Sequence, residues 1–301
     1  MVERVTELMM SQDVVTNVDS DMTALTQTES ELASGKRINQ PSDDPYGTSV
    51  ILDLNDNLSE QTNYSNNNTD GTAWLNTASS ALTSINNAVE TIRELVVEGA
   101  NDTNSSSDDQ SAASEVNELI DEIKQEANSQ YDGNYVFSGS DSSTAPYATG
   151  SDDTYQGNSG SVTRQIGANE SVQVNTDLSS VLGNGSGSND GLLLDTLRQV
   201  ATDLQNGSQT GLETDLGNLD TNVDSLQALQ SNVGVLTDRL SDAASEVQSE
   251  QSADNTQLAS TQDADEATLT TQYSTESAAY EAALEAGAKI IEESLTDFLS
   301  S

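Results

Sequence analysis

The sequence predicts a mainly α-helical protein: an elongated rod of long antiparallel coiled-coil helices formed by both chain ends, with a small central β domain. Three observations predict it. Apolar residues recur at alternating steps of three and four over long stretches towards both ends, the seam of a coiled coil. Prolines, which break helices, number three in 301 residues, and none follows Pro146. Only the middle carries alternating polar and apolar runs among glycines and tyrosines, the pattern of short strands and turns.

The first helix is predicted over Arg4 to Ser34, where Val15, Val18, Met22, Leu25 and Leu32 step by three, four, three and seven. Gly35 is a natural stop, with Lys36 and Arg37 beside the negative helix end. Pro41 and Pro45 bracket Ser42-Asp43-Asp44, a non-helical connector. Helix resumes through Val50, Ile51, Leu54 and Leu58. The cleanest period lies between Thr72 and Val97, in Leu75, Ala78, Leu82, Ile85, Val89, Ile92 and Val96. That stretch would span roughly 39 Å at the α-helical rise. A polar break over Gly99 to Gln110 precedes a shorter helix carrying Val116, Leu119, Ile123 and Ala127.

At Asp132 the character changes. Gly133 to Gly139 reads as a strand, as do Ser161 to Ile166 and Ser171 to Asn175, and Gly183 to Gly191 reads as a linker. A short helix over Leu192 to Leu204 follows. A second long one carries Leu212, Leu216, Leu219, Val223, Leu226, Val233, Leu236, Leu240, Ala243 and Val247. The seam turns polar from Gln248 to Glu266, and Asp263, Asp265 and Glu266 sit in a helical register. It returns with Leu269, Tyr273, Tyr280, Leu284, Ile291, Leu295 and Phe298. The expected domains are a terminal-helix assembly domain (1–42 with 258–301), a helical rod (43–132 with 191–257) and an inserted β domain (133–190).

Composition narrows the chemistry. The chain holds 51 acidic and 9 basic residues, a formal charge of −42, with 33% hydrophobic and 4% aromatic residues. Narrow helical seams suit that stock better than one large core. Phosphate binding needs Lys and Arg, so no nucleic-acid partner is expected. The acidity reads as a surface adapted to high salt. There is no Cys and no His, which removes thiol and imidazole catalysis and disulfides. Asp43-Asp44, Asp108-Asp109 and Asp152-Asp153 read as solvated turns, and no EF-hand or P-loop spacing is present. No catalytic residue, metal ligand or cofactor is therefore assigned, and no enzyme is expected. No run approaches the length of a membrane span, and no cationic leader precedes an apolar run. A soluble chain is expected, with export by a route that uses no cleaved signal left open.

The apolar stripes near both ends are the candidate functional residues: Val15, Val18, Met22, Leu25 and Leu32, and Leu284, Ile291, Leu295 and Phe298. Pattern alone fits an internal core as well as contacts between subunits. Their placement at the two termini, flanking the bulky middle, favours contacts between subunits.

Leu32-Ala33-Ser34-Gly35-Lys36-Arg37-Ile38-Asn39 resembles the bacterial flagellin superfamily. Pro41-Ser42-Asp43-Asp44-Pro45 is similar to its hook–filament junction branch, the hook-associated protein 3 family. Asn134 to Gly139, Ala282 to Ala286 and Ser294 to Leu299 look like the same branch. The resemblance implies a flagellin-like fold and a structural role in motility. It further implies type III export of the unfolded chain with an export chaperone. A secreted, extracellular ring or helical oligomer at the hook–filament junction follows, touching copies of itself, hook-associated protein 1 and flagellin. A filament-forming flagellin and an unrelated acidic coiled-coil surface protein remain the alternatives.

Overall fold

The computed structural model describes residues 2–101, 105–150, 152–185 and 187–300, the side chains of 2–8 and 291–300 excepted. Seven helices are found there: α1 (Val2–Ser34), α2 (Pro45–Gly99), α3 (Ser106–Ala127), α4 (Ser179–Leu182), α5 (Leu193–Asn206), α6 (Gln209–Gln262) and α7 (Glu266–Ser300). Four strands, β1 (Gln130–Tyr131), β2 (Asn134–Tyr135), β3 (Thr163–Gly167) and β4 (Glu170–Gln173), form two antiparallel hairpins. The chain divides into two units, 1–60 with 251–301, and 61–250. Among the described residues no helix is long and apolar enough to cross a membrane.

The unit 61–250 is built on the paired α2 and α6. Arg93 Nε donates to Asp220 at 2.8 Å, Gln230 Nε2 donates to Thr83 at 3.0 Å, and Gly71 lies against Leu240. Moving down one helix means moving up the other, so they run antiparallel. All seven predicted seam residues of α2, Leu75 to Val96, are at most 1% exposed. They meet Leu219, Leu226, Val233 and Leu240 of α6 in one core, completed by α3 and α5. Those two helices pack on each other. α3 starts at a capping box, with Ser105 and Asp108 each satisfying the other's backbone N–H.

Several elements differ from the sequence expectation. α2 is continuous across both predicted stretches, because its seam persists in polar form through the buried Gln61 and Asn68. The strand expected over 133–139 shrinks to Asn134–Tyr135. The chain reverses at Asp132 and Gly133, both at positive φ, which matches the two-residue turn of a tight hairpin. Val136 and Phe137, at 0% exposure, are anchors of the core and not strand residues. The expected linker after Gly183 is a pinned loop. The Asp190 carboxylate accepts from the backbone N–H of Asn184 and of Leu192, both at 3.0 Å, and the buried Tyr147 hydroxyl donates to Gly183 O at 3.0 Å. The expected helical register at Asp263 to Glu266 is broken. α6 stops at Gln262, and Asp265 starts α7 by accepting from the backbone of Ala267 and Thr268.

One expected solvated turn is buried. Asp153 is clamped by Lys124 of α3 (Nζ to Oδ1, 2.8 Å) and by Arg198 of α5 (Nε to Oδ2, 2.8 Å). The Lys124 and Asp153 side chains are both 2% exposed. The hairpin β3–β4 is held by surface ion pairs, Arg164 with Asp70 of α2 and Arg239 of α6 with Glu170.

Candidate assembly interface

The unit 1–60 with 251–301 holds α1 and α7 together with the first turns of α2 and the last turns of α6. α1 and α7 pack along most of their described lengths, with Thr28 Oγ1 donating to Glu276 Oε2 at 2.6 Å and Gly287 lying against Val14. The inward line of α1 is Ser11, Val14, Val18, Asp21, Leu25, Thr28 and Leu32. The facing line of α7 is Leu269, Tyr273, Glu276, Tyr280, Ala283, Gly287 and Ile290. Each alternates steps of three and four, as antiparallel coiled-coil helices require. Gly287 is needed for the close approach. A Cβ there would come within 2.8 Å of Val14 Cγ1.

The predicted stripe is thereby split. Val18, Leu25 and Leu32 are partly covered by the α1–α7 contact. Val15 is 60% exposed, Met22 53% and Leu284 45%. The side chains of Ile291, Leu295 and Phe298 lie outside the described residues. Val15 and Met22, one heptad apart on α1, line a shallow groove of about 400 Å³ with Val14, Val18, Leu284 and Ala288. The helix pair thus uses one face internally and leaves a second apolar flank in water. A surface row of Val, Met and Leu is what a further helix would cover.

The connector between α1 and α2 has its own fixed geometry. Gly35 takes φ of 69°, closing α1 with its N–H on Glu31 O at 2.8 Å. Lys36 and Asp263 then form a β-bridge, in which Arg37 N–H donates to Gln262 O at 2.7 Å and Ala264 N–H to Gly35 O at 3.0 Å. Arg37 was expected to serve the end of α1. Its guanidinium instead donates to Thr261 O at 2.8 Å, satisfying a free carbonyl at the end of α6. Asp43 accepts from the backbone N–H of Asn39 and Gln40, and Asp44 from that of Gly47. Ile38 is buried against Gly47. Ser34 Oγ accepts from Lys36 N–H. Pro41 and Ser42 lie exposed at the turn, and Pro45 opens α2, the position where a missing N–H costs least. The motif residues Ser34 to Pro45 are therefore a brace that ties the α1–α2 passage to the α6–α7 break. The sequence showed the motif but not its partner, because residues 261–264 carry no turn signal beyond one aspartate, Asp263.

Residues 5–142 match the family described as the bacterial flagellin N-terminal helical region. Flagellin of Escherichia coli K12 is 29% identical over 166 residues, covering 55% of this chain and 30% of that protein. The chain spans about a third or less of the curated relatives it matches. Among solved structures, flagellar hook associated protein-3 of Legionella pneumophila aligns with a TM-score of 0.62 at 14% identity, covering 69% of this chain and 98% of that one. The flagellar junction protein FlgL of the same organism aligns at 0.58 and 14%, covering 71% and 99%. The resemblance read from the sequence thus holds, in sequence for the N-terminal helices and in fold for the larger part of the chain.

Proposed function

We propose that this chain is a structural subunit of the bacterial flagellum that acts as the junction adaptor between hook and filament. Copies associate by laying a neighbour's helix into the α1–α7 groove. The observation that carries this reading is the exposed row of Val15, Met22 and Leu284 beside the α1–α7 seam, whose apolar residues are only partly covered. Burying such side chains is worth about 1.5–3 kcal/mol each. Support for the adaptor role comes from the fold, which covers 98–99% of solved junction-type proteins. In this reading residues 1–42 and 258–301 assemble, 43–132 and 191–257 form the helical body, and 133–190 form the insertion. The chain is exported unfolded through the type III channel with a chaperone. It then packs against hook-associated protein 1 on one side and flagellin on the other.

The second reading is a filament-forming flagellin, favoured by the identity of the curated sequence relatives. Imaging labelled protein on intact cells separates the two. A single spot at each filament root is expected, and label along whole filaments would replace the adaptor with the flagellin reading. Val15→Asp and Met22→Asp are expected to keep the helical circular-dichroism signal while abolishing assembly. Unimpaired assembly of both variants would remove the groove from the mechanism.

A further inference from the structure

The corner between α5 and α6 holds two carboxyl groups against each other. Asp215 of α6 is 3% exposed, and among the described residues no N–H or hydroxyl donates to its Oδ2. Gly211 lies one helical turn before it on the same face of α6. A Cβ at Gly211 would collide with the Asp203 carboxylate of α5, so the missing side chain is the notch in which that carboxylate sits. Helical side chains lean towards the N-terminus of their own helix. Asp215 is thereby carried back over the notch and into hydrogen-bonding reach of Asp203.

Two carboxyl groups at that range do not both ionise readily, and their surroundings decide which keeps the proton. Asp203 is half-buried, and its Oδ2 accepts from Gln199 Nε2 at 3.0 Å. It also stands over the first turn of α6, whose free N–H groups favour an anion. Asp215 lies further along α6 and is desolvated. Asp215 therefore holds the proton and donates it to Asp203. The cations on the surrounding helices are committed elsewhere, Arg93 of α2 to Asp220, and Lys124 of α3 and Arg198 of α5 to Asp153. Glu94 and Glu98 of α2 are exposed.

The corner itself is slight. α5 ends at Asn206, Gly207 takes φ of 61°, and α6 begins at Gln209. Ser208 N–H donates to Asp203 O at 2.9 Å. Leu204 and Leu212 are buried there against Gly99 of α2.

We propose that Asp203 and Asp215 are a proton-operated latch: the shared proton holds the last turn of α5 on α6, and its release to water sets two carboxylates against each other and frees that turn. Burial first, and the facing Asp203 second, push the Asp215 carboxyl up to about 7. A carboxyl raised in this way contributes stability below its unfolded value and loses it as pH rises through about 7. The latch is closed in mildly acidic solution and opens in mildly alkaline solution. The chain has no His and no Cys, the side chains that ordinarily titrate in that range. The latch lies within the unit 61–250 and needs no second copy.

Hydrogen exchange read by mass spectrometry on the full chain, at about pH 6 and about pH 8.5, tests it. After correction for the intrinsic pH dependence of exchange, protection over 200–214 is expected to fall at least about tenfold, since each pH unit above the titration costs the closed form about a factor of ten. Protection over 75–92 is expected to hold. Asp215→Asn donates from its amide at either pH and is expected to keep protection over 200–214 constant. Asp203→Asn removes the facing charge and is expected to move the response to lower pH. Equal protection of the wild type at both pH values overturns the latch, as does a fall that persists in Asp215→Asn. A fall of the same size over 75–92 is global unfolding and overturns it too. Should Asp215→Asn lose its helical circular-dichroism signal, an unshifted response in Asp203→Asn overturns the latch in its place.

Discussion

Lys124, Asp153 and Arg198 show at the residue scale how an acidic chain spends scarce cations. Lys124 Nζ reaches Asp153 Oδ1, Gly150 O and Asp152 O, and Arg198 adds two bonds to Asp153 and one to Asn117. Every polar partner is satisfied, so removing one member strands a buried charge. Lys124→Met is expected to destabilise by about 3–5 kcal/mol in urea melts, whereas Arg93→Met at the exposed pair with Asp220 has a far smaller effect. Burial pushes the Asp153 carboxyl up, but the bonds from Arg198 and Lys124 outweigh it and hold it below the usual range. Its contribution is complete above the ordinary carboxylate range and fades as pH falls through the lowered value. Asp215 behaves oppositely. Burial on α6, with Asp203 of α5 beside it, pushes its carboxyl up to about 7. The stability it allows is fully present below the unfolded value and is lost as pH rises through about 7. Asp215→Asn is therefore expected to stabilise by about 2–4 kcal/mol more at pH 8 than at pH 4. An effect independent of pH in denaturant titrations would overturn the assignment.

At the element scale, the α2–α6 seam is apolar from Leu75 to Val96 and polar at Gln61 and Asn68. Asn68 is 1% exposed, and neither side-chain amide atom has a protein partner. An Asn at a seam position fixes register at a cost in stability. Asn68→Leu is expected to raise urea stability by about 1–3 kcal/mol, whereas Leu82→Ala lowers it by about 2–5 kcal/mol; a loss on Asn68→Leu would mean that the amide is satisfied. The contrast explains what the sequence made legible. Periodic apolar runs mark α2, α5 and α6 because their burial is one-dimensional and repeats every turn. The inward line of α1 was only half legible, since Ser11, Asp21 and Thr28 occupy seam positions that hydropathy does not mark. The exposed flank carries the same signature as that seam, since Val15 and Met22 lie one heptad apart, so spacing alone does not separate the two faces. The brace between Gly35 and Ala264, and the burial of Asp153, depend on contacts between residues far apart in sequence, for which spacing carries no signal.

For the whole molecule the dominant quantity is the charge of −42. Most of its carboxylates face water without a cation, because nearly every described Lys and Arg is already committed. Their mutual repulsion opposes folding and, more strongly, the approach of a second copy. Raising salt from 0.1 M to 1 M shortens the screening length from about 10 Å to about 3 Å. The midpoint of thermal unfolding is therefore expected to climb by about 5 °C over that range, equivalent to roughly 3 kcal/mol for a chain of this size. NaCl and KCl should act alike, since screening depends on ionic strength. The cost of Lys124→Met should not change, because a desolvated ion cluster is barely screened. Differential scanning calorimetry in NaCl, KCl and sodium sulfate at matched ionic strength provides the measurement. A response confined to sulfate would indicate exclusion from the protein surface and would remove charge repulsion as the force that salt relieves.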